Sequence, residues 1–130
     1  MRKILSILLV ALSFSAAAQS LPNFDQLEAK LKIRPEQKEQ YDVAVAATER
    51  ALLAVGLAAL QMKDALSKEL AKNYPDFRAL VRKQDELIEQ QRPLFREAGR
   101  QWEKLYKLLD AKQAKTVQVF LDDNLGSFFK

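Results

Sequence analysis

The chain has 130 residues, with 21 Lys and Arg against 17 Asp and Glu, and neither His nor Cys. Lack of Cys excludes a disulfide, a thiol nucleophile, a thiolate metal site and a lipidated cysteine. Lack of His excludes a Ser-His-Asp relay and an imidazole ligand, so zinc or copper chemistry is not expected. Three Gly and four Pro leave little room for phosphate-cradling loops or a turn-rich β fold, and 48% hydrophobic residues argue against global disorder.

Residues 1–18 read as a leader. Arg2 and Lys3 form a positive start, Ile4 to Phe14 is apolar apart from Ser6 and Ser13, and Ala16-Ala17-Ala18 supplies small residues at both cleavage-recognition positions. The pattern is that of a secretory signal peptide cut after Ala18. Its apolar core is too short to span ~30 Å of hydrocarbon, so no stable membrane anchor is expected. Leu52–Leu60 is the most apolar later stretch. Glu49, Arg50, Lys63 and Asp64 close it off, and no later span is expected. The remaining 19–130 is then a single small domain with a net charge of +2, exported to a bacterial envelope and most simply to the periplasm.

The elements read as all helix. Asn23 or Asp25 can cap a short first helix with Phe24, Leu27 and Leu31 on one face. Pro35 ends it and opens a second helix to about Ala71. One stripe of that helix is Tyr41, Val45, Thr48, Leu52, Val55, Ala59, Met62 and Leu66, in steps of four and three. A second apolar set, Val43, Ala47, Leu53, Leu57 and Leu60, lies on another face, which implies a partner surface. Asn73-Tyr74-Pro75 is the clearest break, with Pro75 opening a third helix to Leu108. Heptad columns run through it: Val81, Ile88, Phe95, Trp102, Leu109; Leu80, Leu87, Leu94, Leu108; and Gln84, Gln91, Ala98, Leu105. Pro93 inside this pattern predicts a kink or break. A last helix is expected from Asp110 to about Asn124, with a stop at Leu125-Gly126 and a tail of Ser127 to Lys130.

Two segments share a layout. Ile33-Arg34-Pro35-Glu36-Gln37 and Leu109-Asp110-Ala111-Lys112-Gln113 each hold an aliphatic residue, a junction residue, two helix-opening residues and a Gln. This is a capping box with an apolar residue just outside it. Asp110 can accept from the backbone N–H of Gln113, and Gln113 can reach back to that of Asp110. Arg34 has no acceptor, so the first copy keeps half the box.

The layout resembles the LTxxQ motif of the Spy/CpxP family of periplasmic proteins over most of residues 33–121. Gln37 and Gln113 hold the motif position in both copies, and Pro35 and Glu36 match the common form of the first. Ile33-Arg34 and Leu109-Asp110 stand where that family has Leu-Thr. The resemblance implies a bent antiparallel helical hairpin with short flanking helices, paired as a cradle-like homodimer. It implies an ATP-independent chaperone that holds unfolded envelope proteins, or an adaptor that binds an envelope-stress sensor.

Arg92, Arg96, Arg100 and Lys104 follow one another at i, i+4 on the third helix, and read either as a solvated face or as a basic ridge that steers acidic, partly unfolded chains. Phe95 and Trp102 lie seven apart on the seam and read first as core packing, with contact to such chains as their other reading; Leu57 and Leu60 are the further apolar candidates. The pairs Asp85-Glu86 and Asp122-Asp123 have no apolar pocket around them to raise a pKa, so no enzyme is expected. No cofactor or metal is expected, and the small net charge argues against nucleic acid. A purely structural coiled-coil dimer is the remaining reading.

Overall fold

The structure is a computed structural model and describes residues 21–125. The leader 1–18, Gly126 and the tail from Ser127 lie outside the described residues. Among the described residues the chain is all-α, with helices α1 (Phe24–Leu31), α2 (Pro35–Leu70), α3 (Phe77–Tyr106) and α4 (Ala111–Leu125).

Each boundary has a local cause. Asn23 caps α1, its side-chain oxygen accepting from the N–H of Gln26 at 3.1 Å. Lys32 ends α1 in the left-handed region, with φ 50°. That conformation ordinarily favours Gly, so the Lys side chain gave no stop signal. Pro35 is the first residue of α2, where its missing N–H costs no bond.

Three expectations need correction. Pro75 does not open α3: Asp76 does, accepting from the N–H of Ala79 at 3.1 Å, while its own N–H donates to Glu69 at 2.8 Å. A side-chain acceptor satisfies an orphan donor at a helix start, which proline does not do. Of the kink or break expected at Pro93, the break does not occur, since α3 runs through it without interruption. Proline removes one backbone bond there, a loss that the rest of a 30-residue helix carries. Finally, α2 is long and apolar enough to cross a membrane by length and composition, although no span beyond the leader was expected. A core helix passes the same test, and 44% of that apolar 18-residue window is buried.

The described chain forms two compact units. The first is Thr48–Arg96, from the later part of α2 and the earlier part of α3. Its core is Ala58, Met62, Leu80 and Leu87, with Ala65, Leu66 and Val81 packed against them.

The second unit comprises Pro22–Ala47 and the chain from Glu97 onward. Phe24, Leu27, Leu31, Tyr41, Ala44, Trp102, Leu105 and Val117 form its core. The Trp102 indole lies 6.2 Å from the Phe24 ring and edge-on to Tyr41 at 6.4 Å. The buried Tyr41 hydroxyl donates to the carbonyl of Phe24 at 2.5 Å. Burial, and then the carboxylates of Glu28, Asp25 and Asp42, push the Tyr41 phenol well above its ordinary pKa.

Candidate functional site

The two motif copies meet in the second unit. Gln37 is fully buried and Gln113 is 7% exposed. Their side-chain amides pair reciprocally, each nitrogen donating to the other's oxygen at 3.0 Å. The second hydrogen of Gln37 goes to the carbonyl of Leu108 at 2.7 Å, and that of Gln113 to the carbonyl of Leu31 at 3.1 Å. The Gln37 oxygen also accepts from the N–H of Arg34 at 3.0 Å, and the Gln113 oxygen from that of Asp110 at 3.2 Å. A primary amide offers two donors and two acceptor positions, so all eight positions are filled.

The pair ties together the end of α1, the start of α2, the turn after α3 and the start of α4. The expected capping box is present in the second copy, where Gln113 N–H donates to Asp110 at 2.8 Å. The first copy keeps only the return arm from Gln37, as the Arg34 side chain requires. Arg34 instead reaches Asp110 at 3.5 Å and Glu36 at 2.9 Å, joining the two junction residues by charge. The backbone N–H at the helix start, followed by Arg34, holds the exposed Glu36 carboxyl below its usual range. Ile33 and Leu109 pack against the core beside the joint. Sequence reading identified each Gln separately and missed their pairing; the available signal was one amide at the same box position in both copies.

The first unit carries a surface of opposite character. Leu53, Leu57 and Leu60 are 55%, 60% and 64% exposed. They follow at i, i+4 and i+7, one face of a helix whose Leu52, Val55, Ala59 and Met62 are buried. Beside Leu57 lies a groove of about 180 Å³, lined also by Ala54, Ala58, Leu87, Gln91 and Leu94. Gln91 is 8% exposed, and its side-chain nitrogen is shut off from solvent with no hydrogen-bond partner among the described residues. An unmet buried donor of this kind costs of order 1–3 kcal/mol.

The other candidates divide. Trp102 is a core residue of the second unit, as its place on the seam suggests, and its ring completes the Phe24–Tyr41 packing; the alternative of client contact is overturned for it. Phe95 is half-buried. Arg92, Arg96, Arg100 and Lys104 are all exposed. Arg92 pairs with Glu89 at 2.8 Å and Arg100 with Glu97 at 2.6 Å. Arg96 and Lys104 make no ion pair among the described residues. The exposed Glu97 carboxyl is held below its usual range by Gln101 and then by Arg100. The basic run is therefore half neutralised by its own helix. A scan against protein-family models gave no match, and neither the curated proteins nor the solved structures yielded one.

Proposed function

We propose that this protein is a non-enzymatic, ATP-independent holding chaperone of the bacterial envelope, which captures non-native polypeptides on the leucine face of α2. One observation carries the reading: Leu53, Leu57 and Leu60 stand in solvent beside a groove of about 180 Å³. An unfolded segment offers the complement, apolar side chains for the leucines and the groove beside them. The exposed Arg96 adds an attraction for acidic segments that salt screens.

The resemblance of the two motif copies to the LTxxQ layout supports the same reading. It also motivates the finer architecture, a bent antiparallel hairpin that pairs as a homodimer. The leader at 1–18 motivates a periplasmic location.

The test is light scattering of an aggregating non-native protein, without nucleotide, at low and high salt. Suppression is expected, weaker at high salt, and lost when Leu53, Leu57 and Leu60 are replaced together by Ser. No suppression at any ratio would overturn the reading.

A further inference from the structure

We propose that the second unit carries a binding cleft between α1 and α4 for a single-chain anionic amphiphile, a carboxylate or phosphate head on an apolar body about 10 Å long, with Lys30 and Lys115 holding the head. The cleft is separate from the leucine face of α2, and its occupancy does not depend on the capture of non-native chains.

The two helices that form it run antiparallel. The carbonyl of Leu31, the last residue of α1, accepts from the Gln113 side chain near the start of α4 at 3.1 Å. At the other end the rings of Phe24 and Phe120 lie 5.6 Å apart. The cleft between the helices holds about 400 Å³, a size common among small-molecule sites. Its α1 wall is Asn23, Gln26, Leu27 and Lys30, one face of a helix about 10 Å long.

The antiparallel order sorts the lining along the cleft. Lys30 and Lys115 stand at one end, Leu27, Val119 and Phe120 in the middle, and Asn23, Asp123 and Asn124 at the other end. Leu27 is fully buried, Phe120 half-buried and Val119 49% exposed, so the middle has an apolar floor and an open apolar wall. The far amides are engaged by their own helices: the Asn23 oxygen accepts from the N–H of Gln26, and the Asn124 nitrogen donates to the carbonyl of Phe120. The Asp123 carboxylate repels an anionic head from that end, which leaves one orientation for the ligand.

The basic end lacks a counter-charge. Lys32 and Lys112 flank the Leu31–Gln113 bond there, beside Lys30 and Lys115. None of the four makes an ion pair among the described residues. The nearby carboxylates are taken: Glu28 holds Lys38, and Glu36 and Asp110 hold Arg34. Lys112 and Lys115 are like charges at i, i+3, which repel. An anion seated between Lys30 and Lys115 relieves that repulsion. A bare ion would leave the apolar middle wet, and a neutral chain would leave the lysines unmatched.

Isothermal titration calorimetry with decanoate, below its micelle-forming concentration, tests the site. The titration uses the purified protein and its triple variant Leu53→Ser, Leu57→Ser, Leu60→Ser, which removes the other apolar surface. One site of submillimolar affinity is expected in both. Decanol and acetate should each bind at least about tenfold more weakly. Lys30→Gln and Lys115→Gln should each weaken decanoate binding about threefold and together about tenfold, without lowering the melting temperature of the free protein. Val119→Asp, at an exposed position, should abolish binding, and Arg78→Gln, a cation of the first unit, should leave it unchanged. Flotation with phosphatidylglycerol vesicles separates the sources of such a ligand. Retention that decanoate displaces assigns it to a membrane lipid, and decanoate binding without retention assigns it to a free amphiphile.

No decanoate binding in the triple variant would overturn the proposal. So would equal affinity for decanol, or unchanged affinity when Lys30 and Lys115 are both replaced by Gln. Each of these outcomes leaves the suppression of aggregation by the leucine face to its own test.

Discussion

At the joint of the two motif copies every hydrogen-bonding position of two buried amides is filled, by four backbone groups and by each other. Along the leucine face of α2 the bookkeeping fails twice: three leucines stand in water, and the buried Gln91 nitrogen has no acceptor. Both regions belong to one small chain and both depend on glutamine. The difference separates two roles for a buried polar group. A fully matched amide pair fixes how helix ends meet, and an amide with an unmet donor costs stability where it sits.

The largest effect should come from breaking the matched region. Gln113→Ala leaves the carbonyl of Leu31 and half of the Gln37 amide without partners, and should cost about 3 kcal/mol in urea or thermal unfolding. The double replacement Gln37→Leu with Gln113→Leu should cost less than the two single changes added, because the pair fails as a unit. Simple additivity would mean that the reciprocal bonds contribute little.

Next comes Tyr41, whose hydroxyl bond to Phe24 should be worth about 1 kcal/mol, measured as Tyr41→Phe. The same group sets an alkaline limit. The folded phenol ionises at higher pH than the unfolded one, which titrates near pH 10. Its contribution is fully present below pH 10 and is lost as pH rises beyond it. Tyr106, also pushed up by burial, adds to the same slope. Urea midpoints at about pH 8 and pH 11 should fall less in the Tyr41→Phe variant than in the parent.

The mismatched region should respond with the opposite sign. Gln91→Met fills the same space without the unmet donor, and should raise stability by about 1 kcal/mol. A loss of stability would mean that the Gln91 amide is satisfied. Smallest in stability, within about 0.5 kcal/mol, is the triple Ser replacement of Leu53, Leu57 and Leu60, since exposed leucines hold nothing in place. Unfolding and light scattering on that variant should diverge, the first unchanged and the second abolished.

Much of the fold was legible. Of the stripe from Tyr41 to Met62, Tyr41, Thr48, Leu52, Val55, Ala59 and Met62 are buried and Val45 is half-buried, because one amphipathic face has one way to hide. Of the second apolar set, Val43, Leu53, Leu57 and Leu60 are exposed, an excess beyond what that face could bury, while Ala47 is buried and belongs to the core. The local half of each motif copy was legible too, since a capping box closes within four residues. Other features were hidden because they are settled by tertiary packing or by a residue acting against type. Lys32 takes a conformation that suggests Gly. Asp76 outcompetes Pro75 for the start of α3. The seam position of Trp102 marks it as core, but Phe24 and Tyr41 as its ring partners come from other helices and are not announced locally. The Gln37–Gln113 pair spans 76 positions, and no local pattern announces a meeting at that distance.

That separation has a kinetic consequence. Met62 and Leu80 are joined across one short turn, so their cluster forms at small entropic cost for loop closure. Gln37 waits for a partner 76 positions further along, and contacts that distant form late. A chain made from its N-terminus therefore completes the leucine-bearing unit while Gln37 is still solvated. The adhesive part of the molecule is ready early, and the latch that fixes the helix ends closes last.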